Sequence, residues 1–407
     1  MIPEREEHGK FIALALISLC LIGALSTWFS ATVILPELSQ SAQLSGLEEI
    51  WLTNGVQLGF VLGALIISFF NISDIVSLTK LIAVSCICAA LSNFLLSVAN
   101  NGAQFVVLRV LTGAALAGVY PPCVKLIATW FKTGRGIAMG TIIGALTVGS
   151  ALPHLLRAMA ADTDWHTVIW GSSATTFLAG LVFALFVKEG PHAFARANFD
   201  PSQIFQVLRN RALALVNIGY IGHMWELYAM WAWILTFAHH ASDKFTEFPL
   251  SSPEFLSFSV VASGGIGCII AGRLSDIYGR CLTTAGLMLI SGFCAFFIGY
   301  TVEISALLFA TVAIIWGATI VADSGQFSAA VTELSDQRLV GTALTFQMAI
   351  GYGVTLLTVW LVPTMAQKSD SFQWAFLILV PGPLIGAAAM LLLRQRDEAT
   401  LLANGKR

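Results

Sequence analysis

Twelve long apolar runs follow one another along this 407-residue chain, with short polar connections between them. A helix that crosses the hydrocarbon core of a membrane needs about 20 predominantly apolar residues, so each run is close to the required length. One such run could be a buried helix of a soluble protein, whereas twelve in succession predict an all-α integral membrane protein. The predicted spans, numbered in chain order, cover residues 11–36, 50–70, 78–98, 103–129, 136–159, 167–187, 211–238, 255–272, 281–300, 304–331, 340–362 and 373–393.

The composition excludes the soluble globular class. Charged residues make up 11% of the chain and hydrophobic residues 57%, whereas soluble domains contain about 25% charged residues. The apolar run that follows Lys10 is longer than the apolar region of a signal peptide, so we expect the first span to be retained.

No residue pattern in the sequence indicates a metal or a cofactor. The seven cysteines lie in or at the edges of apolar spans and form no C-x-x-C pair, so neither a disulfide framework nor a zinc site is predicted. The chain also contains no G-x-x-x-x-G-K-[ST] loop, and ATP-driven transport within this chain is therefore unsupported. We expect no metal, no cofactor and no nucleic-acid partner.

The basic residues indicate how the spans are oriented. If loops alternate from a cytoplasmic amino terminus, seventeen of the 21 Lys and Arg residues fall inside and only three fall outside. Cytoplasmic loops of membrane proteins carry such an excess of basic residues. The distribution predicts that both termini are cytoplasmic, which requires an even number of spans. We expect a multi-pass protein of the plasma membrane, the inner membrane in a bacterium.

The longest cytoplasmic connection, residues 188–210, divides the chain into two halves, 1–187 and 211–407. These halves are weak copies of each other. Aligning Asp276 with Asp74 also places Ser275 on Ser73 and a leucine on an isoleucine. A layout of six plus six spans is typical of transporters built from parallel repeats.

A short polar turn separates the eighth and ninth spans. Because its charges cannot be left in hydrocarbon, it must reverse the chain at a membrane surface. It resembles the cytoplasmic loop motif G-x-L-x-D-x-x-G-R of the major facilitator superfamily, and the matching residues are Gly272, Leu274, Asp276, Gly279 and Arg280. The first-half copy keeps Asp74 but lacks the glycines and the arginine. Arg109 and Gly113 add the R-x-x-x-G pattern that recurs in the fourth span of this superfamily.

The resemblance covers essentially the whole chain and implies twelve transmembrane helices in two six-helix pseudo-repeats. It implies secondary transport of a small solute by alternating access, with no enzymatic activity, and a monomer in the lipid bilayer. It also implies that Asp276 reaches the amino-terminal end of the fifth span, near Arg135. A carboxylate is stabilised at a helix amino terminus. We expect the corresponding contact of Asp74 to be weaker.

His223 and Glu226 lie near the centre of the seventh span. A spacing of three residues puts them on one helix face, where an imidazolium and a carboxylate could pair. Buried carboxylates and histidines can exchange protons near physiological pH, so the two residues are candidates for proton coupling or solute binding. The alternative is a buried pair that only fixes helix packing.

Asp323 and Gln326 repeat this spacing in the tenth span, displaced from its centre towards the cytoplasm. Gly325 could loosen the helix there and free backbone carbonyls to meet a solute. The alternative is a carboxylate that neighbouring serines and backbone groups satisfy.

Three further residues inside spans are candidates. Arg109 is either a structural residue of the first half, which the resemblance favours, or an anion-binding group, since a guanidinium suits anions. Trp225 and Trp316 are candidates for the wall of a solute cavity, although most such aromatic residues pack against other helices.

The function that these residues indicate is proton-coupled symport or antiport of a small organic metabolite. One alternative is a transporter-like sensor that binds a solute without net transport. Another is a small-anion porter, but the nitrate porters of this superfamily hold the anion with arginines in the second and eighth spans. Residues 50–70 and 255–272 contain no arginine.

The charge distribution generates a test of orientation. Single cysteines introduced into the 188–210 and 241–252 connections should react with a membrane-impermeant thiol reagent from opposite sides of the membrane. Labelling is measured in intact cells and again after permeabilisation, with the unsubstituted protein as the control. Labelling of both positions from outside intact cells would overturn the predicted orientation.

Overall fold

The computed structural model describes residues 2–131, 135–160, 164–192, 204–336, 339–369 and 371–407, and every regular element within these ranges is helical. The chain divides into two compact units, Met1–Arg196 and Ala197–Arg407. The boundary between the units falls inside the predicted central connection.

The first unit contains the helices of the first six predicted spans. In chain order they are α1 (Ile2–Leu25), α2 (Ser30–Val33), α3 (Leu35–Ala42), α4 (Gly46–Phe69), α5 (Ile72–Ile75), α6 (Leu78–Phe94), α7 (Gly102–Leu116), α8 (Tyr120–Ala128), α9 (Arg135–Met159) and α10 (His166–Leu185), with a 3-10 helix at Leu95–Val98.

The second unit contains the remaining helices. They are α11 (Ile204–Arg209), α12 (Arg211–Ser242), α13 (Pro253–Tyr278), α14 (Arg280–Thr301), α15 (Ala306–Ile320), α16 (Ser324–Leu334), α17 (Val340–Ser369) and α18 (Pro381–Arg394), with 3-10 helices at Ala375–Leu379 and Asp397–Gly405.

Ten segments of the described chain are long and apolar enough to cross a membrane, and they correspond to ten of the twelve predicted spans. The first predicted span contains a shorter apolar helix, Gly9–Leu25. The seventh is α12, whose 32 residues extend over about 48 Å at 1.5 Å per residue, although it is not one of the ten. The fold is thus that of an all-α, multi-pass membrane protein, and the count of twelve crossings stays a prediction.

Breaks between α-helices divide the first, fourth and tenth predicted spans. The first breaks after Leu25, and the fourth breaks between α7 and α8, where Pro121 and Pro122 occupy the first turn of α8. Proline is tolerated there because the first N–H groups of a helix have no partner within it. The tenth span breaks between α15 and α16, over Val321–Asp323. The fourth and tenth spans hold the same place in the two predicted repeats.

Glycines allow the helices beside these breaks to approach closely. A Cβ atom on Gly113 of α7 would lie 2.0 Å from the Val56 carbonyl oxygen of α4, and one on Gly317 of α15 would lie 1.9 Å from that of Val260 in α13. Small residues at membrane helix interfaces permit this backbone contact. Each unit therefore packs its second span against its fourth in the same way.

This packing predicts a position-specific cost of adding one methyl group. Gly113→Ala and Gly317→Ala should each destabilise the protein by about 1–3 kcal/mol or more, because the facing backbone must move. Gly286 of α14 is the matched control, since a Cβ there meets nothing within 4 Å, and Gly286→Ala should be neutral or stabilise the helix by up to about 1 kcal/mol. Thermal unfolding of purified protein in detergent measures the difference. Equal melting temperatures for all three variants would contradict the packing.

Candidate functional site

The candidate site in the second unit is built on the middle of α12. Gly222 in α12 lets α18 approach closely, because a Cβ atom there would lie 2.3 Å from the carbonyl oxygen of Gly382. The Trp225 indole N–H donates to the carbonyl of Ile378 at 3.0 Å. These contacts attach one side of α12 to the last span, so His223 and Glu226 are held by a fixed helix.

Glu226 is buried, with 1% of its surface exposed, and two other helices supply its partners. The Trp316 indole N–H on α15 donates to Oε1 at 2.5 Å, and the Ser291 hydroxyl on α14 donates to Oε2 at 2.9 Å. Both donors are neutral, and in the described part of the chain this carboxylate forms no ion pair.

His223 meets a different set of partners. Its Nδ1 lies 2.8 Å from Oδ1 of Asp323, and its Nε2 lies 2.7 Å from the Ser324 hydroxyl. The rings of Tyr220 and Phe327 lie beside the imidazole, at 5.8 and 5.6 Å between centroids. All the polar groups of this cluster are therefore held by α12 and the start of α16.

The sequence pattern put His223 and Glu226 on one face as a possible pair, and among the described residues no ion pair joins them. Each side chain instead finds a partner on a neighbouring helix: Asp323 for the imidazole, and Trp316 with Ser291 for the carboxylate. Spacing along one helix defines a face but not the neighbours that the face meets.

Asp323 lies at the interruption of the tenth span, immediately before α16. The sequence predicted that the helix loosens at Gly325. In the structure the helix breaks just before that residue, at Val321–Asp323, and Gly325 itself is helical. Gln326 does not accompany Asp323. Its side-chain oxygen accepts from Arg280 Nη1 at 2.9 Å, so the amide belongs to the loop rather than to the His223 cluster.

Arg280 anchors the loop to α16. Its guanidinium forms a two-pronged ion pair with Glu333, at 2.7 and 2.5 Å, a geometry that strengthens Arg–carboxylate pairs. The same carboxylate accepts from the backbone N–H of Ala403 at 3.2 Å. Sequence reasoning missed Glu333, which lies just beyond the predicted end of the tenth span. An acidic residue at that edge, beside a basic loop, was the available signal.

The end of the chain packs against the same loop. Gly279 has a φ of 86°, a left-handed conformation that favours glycine, and a Cβ there would lie 2.3 Å from the Arg407 carbonyl oxygen. The Lys406 ammonium donates to the Asp276 carbonyl. Turn geometry and close packing therefore both require glycine at 279, whereas a Cβ on Gly272 would meet nothing within 4 Å.

The predicted contacts of Asp74, and of Asp276 with the region of Arg135, involve side chains outside the described residues. The side chains of Asp74 and Arg135 are not among the described groups, and the Asp276 side chain is exposed. The predicted contact between Asp276 and the start of the fifth span would join the two units, and it stays a prediction.

Arg109 is fully buried in the first unit. Its guanidinium donates to the Thr27 carbonyl at 2.9 Å and the Leu52 carbonyl at 3.3 Å, and also to the Trp28 carbonyl. Weaker contacts reach Ser30 and Asn93, both at 3.4 Å. These acceptors are neutral, and two of the carbonyls lie where the first span breaks. This geometry favours the structural role of Arg109 over anion binding.

Metal ligands do not cluster in the described part of the chain. No group of three or more His, Cys, Asp or Glu residues there could hold a metal ion.

Comparison with known proteins identifies relatives of the sequence. The family model described as Major Facilitator Superfamily matches residues 17–357. The chain is 26% identical over 197 residues to "MFS-type transporter pytF" of Aspergillus terreus (strain NIH 2624 / FGSC A1156), covering 47% of this chain and 64% of that protein. It is 26% identical over 194 residues to "Uncharacterized transporter BU588" of Buchnera aphidicola subsp. Acyrthosiphon pisum (strain APS), covering 46% of this chain and 47% of that protein. Each match thus spans less than two thirds of the relative's own length.

Solved structures share the fold over nearly the whole chain. A bacterial homologue of the human lysosomal transporter Spinster, in an inward-facing and occupied conformation, has a TM-score of 0.71 at 14% identity, covering 94% of this chain and 96% of that one. The nucleoside transporter NupG has a TM-score of 0.69 at 15% identity, covering 94% and 98%. At these identities the likeness establishes the fold alone.

The Arg109 contacts predict that lysine cannot replace this arginine. Arg109→Lys should cost about 2–5 kcal/mol, because one ammonium cannot satisfy carbonyls that diverge around a planar guanidinium. Arg157→Lys is the matched control, since Arg157 forms a partly exposed pair with Glu37 at 2.5 Å and such pairs contribute about 0–1 kcal/mol. Thermal unfolding in detergent measures both. A stable Arg109→Lys variant that has lost solute binding would indicate the anion-binding role instead.

Proposed function

The chain belongs to the Major Facilitator Superfamily and is a multi-pass membrane protein for transport of a small solute, and we propose that proton movement through Glu226 drives that transport. The solute is a small organic metabolite, carried by symport or antiport with alternating access. The protein acts as a monomer in the plasma membrane, the inner membrane in a bacterium, with both termini cytoplasmic, and it has no enzymatic activity.

The observation that carries this proposal is the environment of Glu226. A carboxylate buried at the centre of a membrane protein is costly, and such residues mark proton or solute pathways. Here its partners are an indole and a hydroxyl, both neutral. A purely structural ion pair would hold the charge permanently with a cation, whereas neutral partners leave the carboxyl group able to gain and lose a proton.

The His223–Asp323 cluster supports the same function from a second position on α12. An imidazole 2.8 Å from a carboxylate can carry a proton or hold a polar group of the solute. The cluster lies at the interruption of the tenth span, and transporters commonly bind their solutes and coupling ions where helices are discontinuous.

The small-anion porter receives less support from the geometry. The second and eighth spans contain no arginine, and the guanidinium of Arg109 is occupied by backbone carbonyls of its own unit. One protein with the same fold is a nucleoside transporter, but at 15% identity that substrate does not carry over to this chain.

Glu226→Gln is the decisive variant. A screen of small organic solutes by thermal shift first identifies a ligand, because a ligand that binds only folded protein raises its apparent stability. In proteoliposomes, Glu226→Gln should lose accumulation of this ligand driven by a pH gradient. It should retain solute exchange and the thermal shift, since the amide preserves the shape of the side chain.

Glu303→Gln is the control, because the Glu303 side chain in the same unit is 54% exposed. This variant should leave solute accumulation unchanged. Accumulation by Glu226→Gln with unchanged pH dependence would show that Glu226 has only a packing role.

A further inference from the structure

The hydrogen bonds of Glu226 distinguish its two oxygen atoms. Oε1 accepts from the Trp316 indole at 2.5 Å, and an indole N–H can only donate. A proton on Oε1 would find no acceptor among the hydrogen-bond partners of this carboxylate. Oε2 lies 2.9 Å from the Ser291 hydroxyl, which can donate or accept. The proton-binding atom is therefore Oε2.

The Ser291 hydroxyl has a second partner that makes both protonation states possible. Its Oγ atom lies 3.2 Å from the Met288 carbonyl oxygen, which only accepts. One hydroxyl hydrogen thus has two acceptors within reach, the Glu226 carboxylate and the Met288 carbonyl.

We propose that Ser291 is the positioning residue for proton binding at Glu226, acting by rotation of its hydroxyl between these two acceptors. With Glu226 ionised, the hydroxyl donates to Oε2. When Oε2 binds a proton, the new O–H donates to Ser291 Oγ, and the hydroxyl hydrogen turns to Met288. Every polar hydrogen keeps an acceptor in both states, and no heavy atom needs to move. This inference rests on the proposed coupling role of Glu226.

The titratable neighbours of Glu226 belong to several helices. α12 contributes His223, and α14 contributes Cys294. Asp323 precedes α16 and acts electrostatically on Glu226, as Glu226 does on Cys294. Of these groups, none is a hydrogen-bond partner of the Glu226 carboxylate, so Ser291 and Trp316 alone define its local geometry.

Infrared difference spectroscopy of the purified, solute-free protein during a pH titration tests this role directly. The C=O stretching band of protonated Glu226 is identified by its loss in Glu226→Gln. In Ser291→Ala the acid O–H loses its acceptor, so the band should move to higher wavenumber. Its pH midpoint should rise by roughly one unit, because the stronger, charge-assisted bond to the ionised form is lost.

Two further variants complete the test. Ser291→Thr keeps the hydroxyl and should restore both the band position and its midpoint. Thr301→Val removes another buried hydroxyl from α14, one that bonds only to Ile298 of its own helix at 2.6 Å, and should change neither. If the Glu226 band of Ser291→Ala had the same position and the same pH midpoint as that of the wild type, the role of Ser291 would be overturned, while Glu226 would remain the proton site. Absence of a Glu226 band from the wild-type titration would overturn the proposed function itself.

Discussion

Every polar group buried within a membrane protein must find its partner in the protein, because hydrocarbon offers none. That constraint is most visible where spans are interrupted and backbone carbonyls are released. At the break of the first span, the guanidinium of Arg109 on α7 donates hydrogen bonds to the released carbonyls of Thr27 and Trp28. At the break of the tenth span, Asp323 and Ser324 meet His223 instead. The broken helices and the buried ionisable residues are therefore two parts of one arrangement.

The two units use buried polar groups differently. In the first unit, Asn93 links the Arg109 region to α10 through the Ser173 hydroxyl at 3.0 Å, and the guanidinium remains charged at all physiological pH values. That network is suited to holding helices together. In the second unit, the central groups are Glu226, His223 and Asp323, which can change charge. The buried groups bonded around Glu226 and His223 thus differ in kind from the permanent cation bonded to carbonyls around Arg109.

Hydropathy predicted the position of most helices closely. The predicted span 167–187 is α10, His166–Leu185, and 50–70 is α4, Gly46–Phe69. The breaks in the first and fourth spans were not predicted, and the loosening expected at Gly325 lies a few residues earlier, because Val321 and Ala322 are as apolar as the residues of a continuous helix. In the candidate site, the sequence predicted a role for Glu226 from its depth in the span and from His223 one turn away. It could not identify Ser291, which is 65 residues away along the chain, since that contact depends on how whole helices pack.

The interruption between α15 and α16 has a consequence for the order of events during transport. Trp316, which holds Glu226, precedes the break, whereas Asp323 and Ser324, which hold His223, lie at its end. A tilt of α16 about residues 321–323 would change the surroundings of the His223 imidazole. The Glu226 carboxylate, one turn away on α12, would keep its partners on α14 and α15. The far end of α16 carries Glu333, bound to Arg280. Movement of the loop that carries Arg280 would accordingly change the surroundings of the histidine before those of the glutamate.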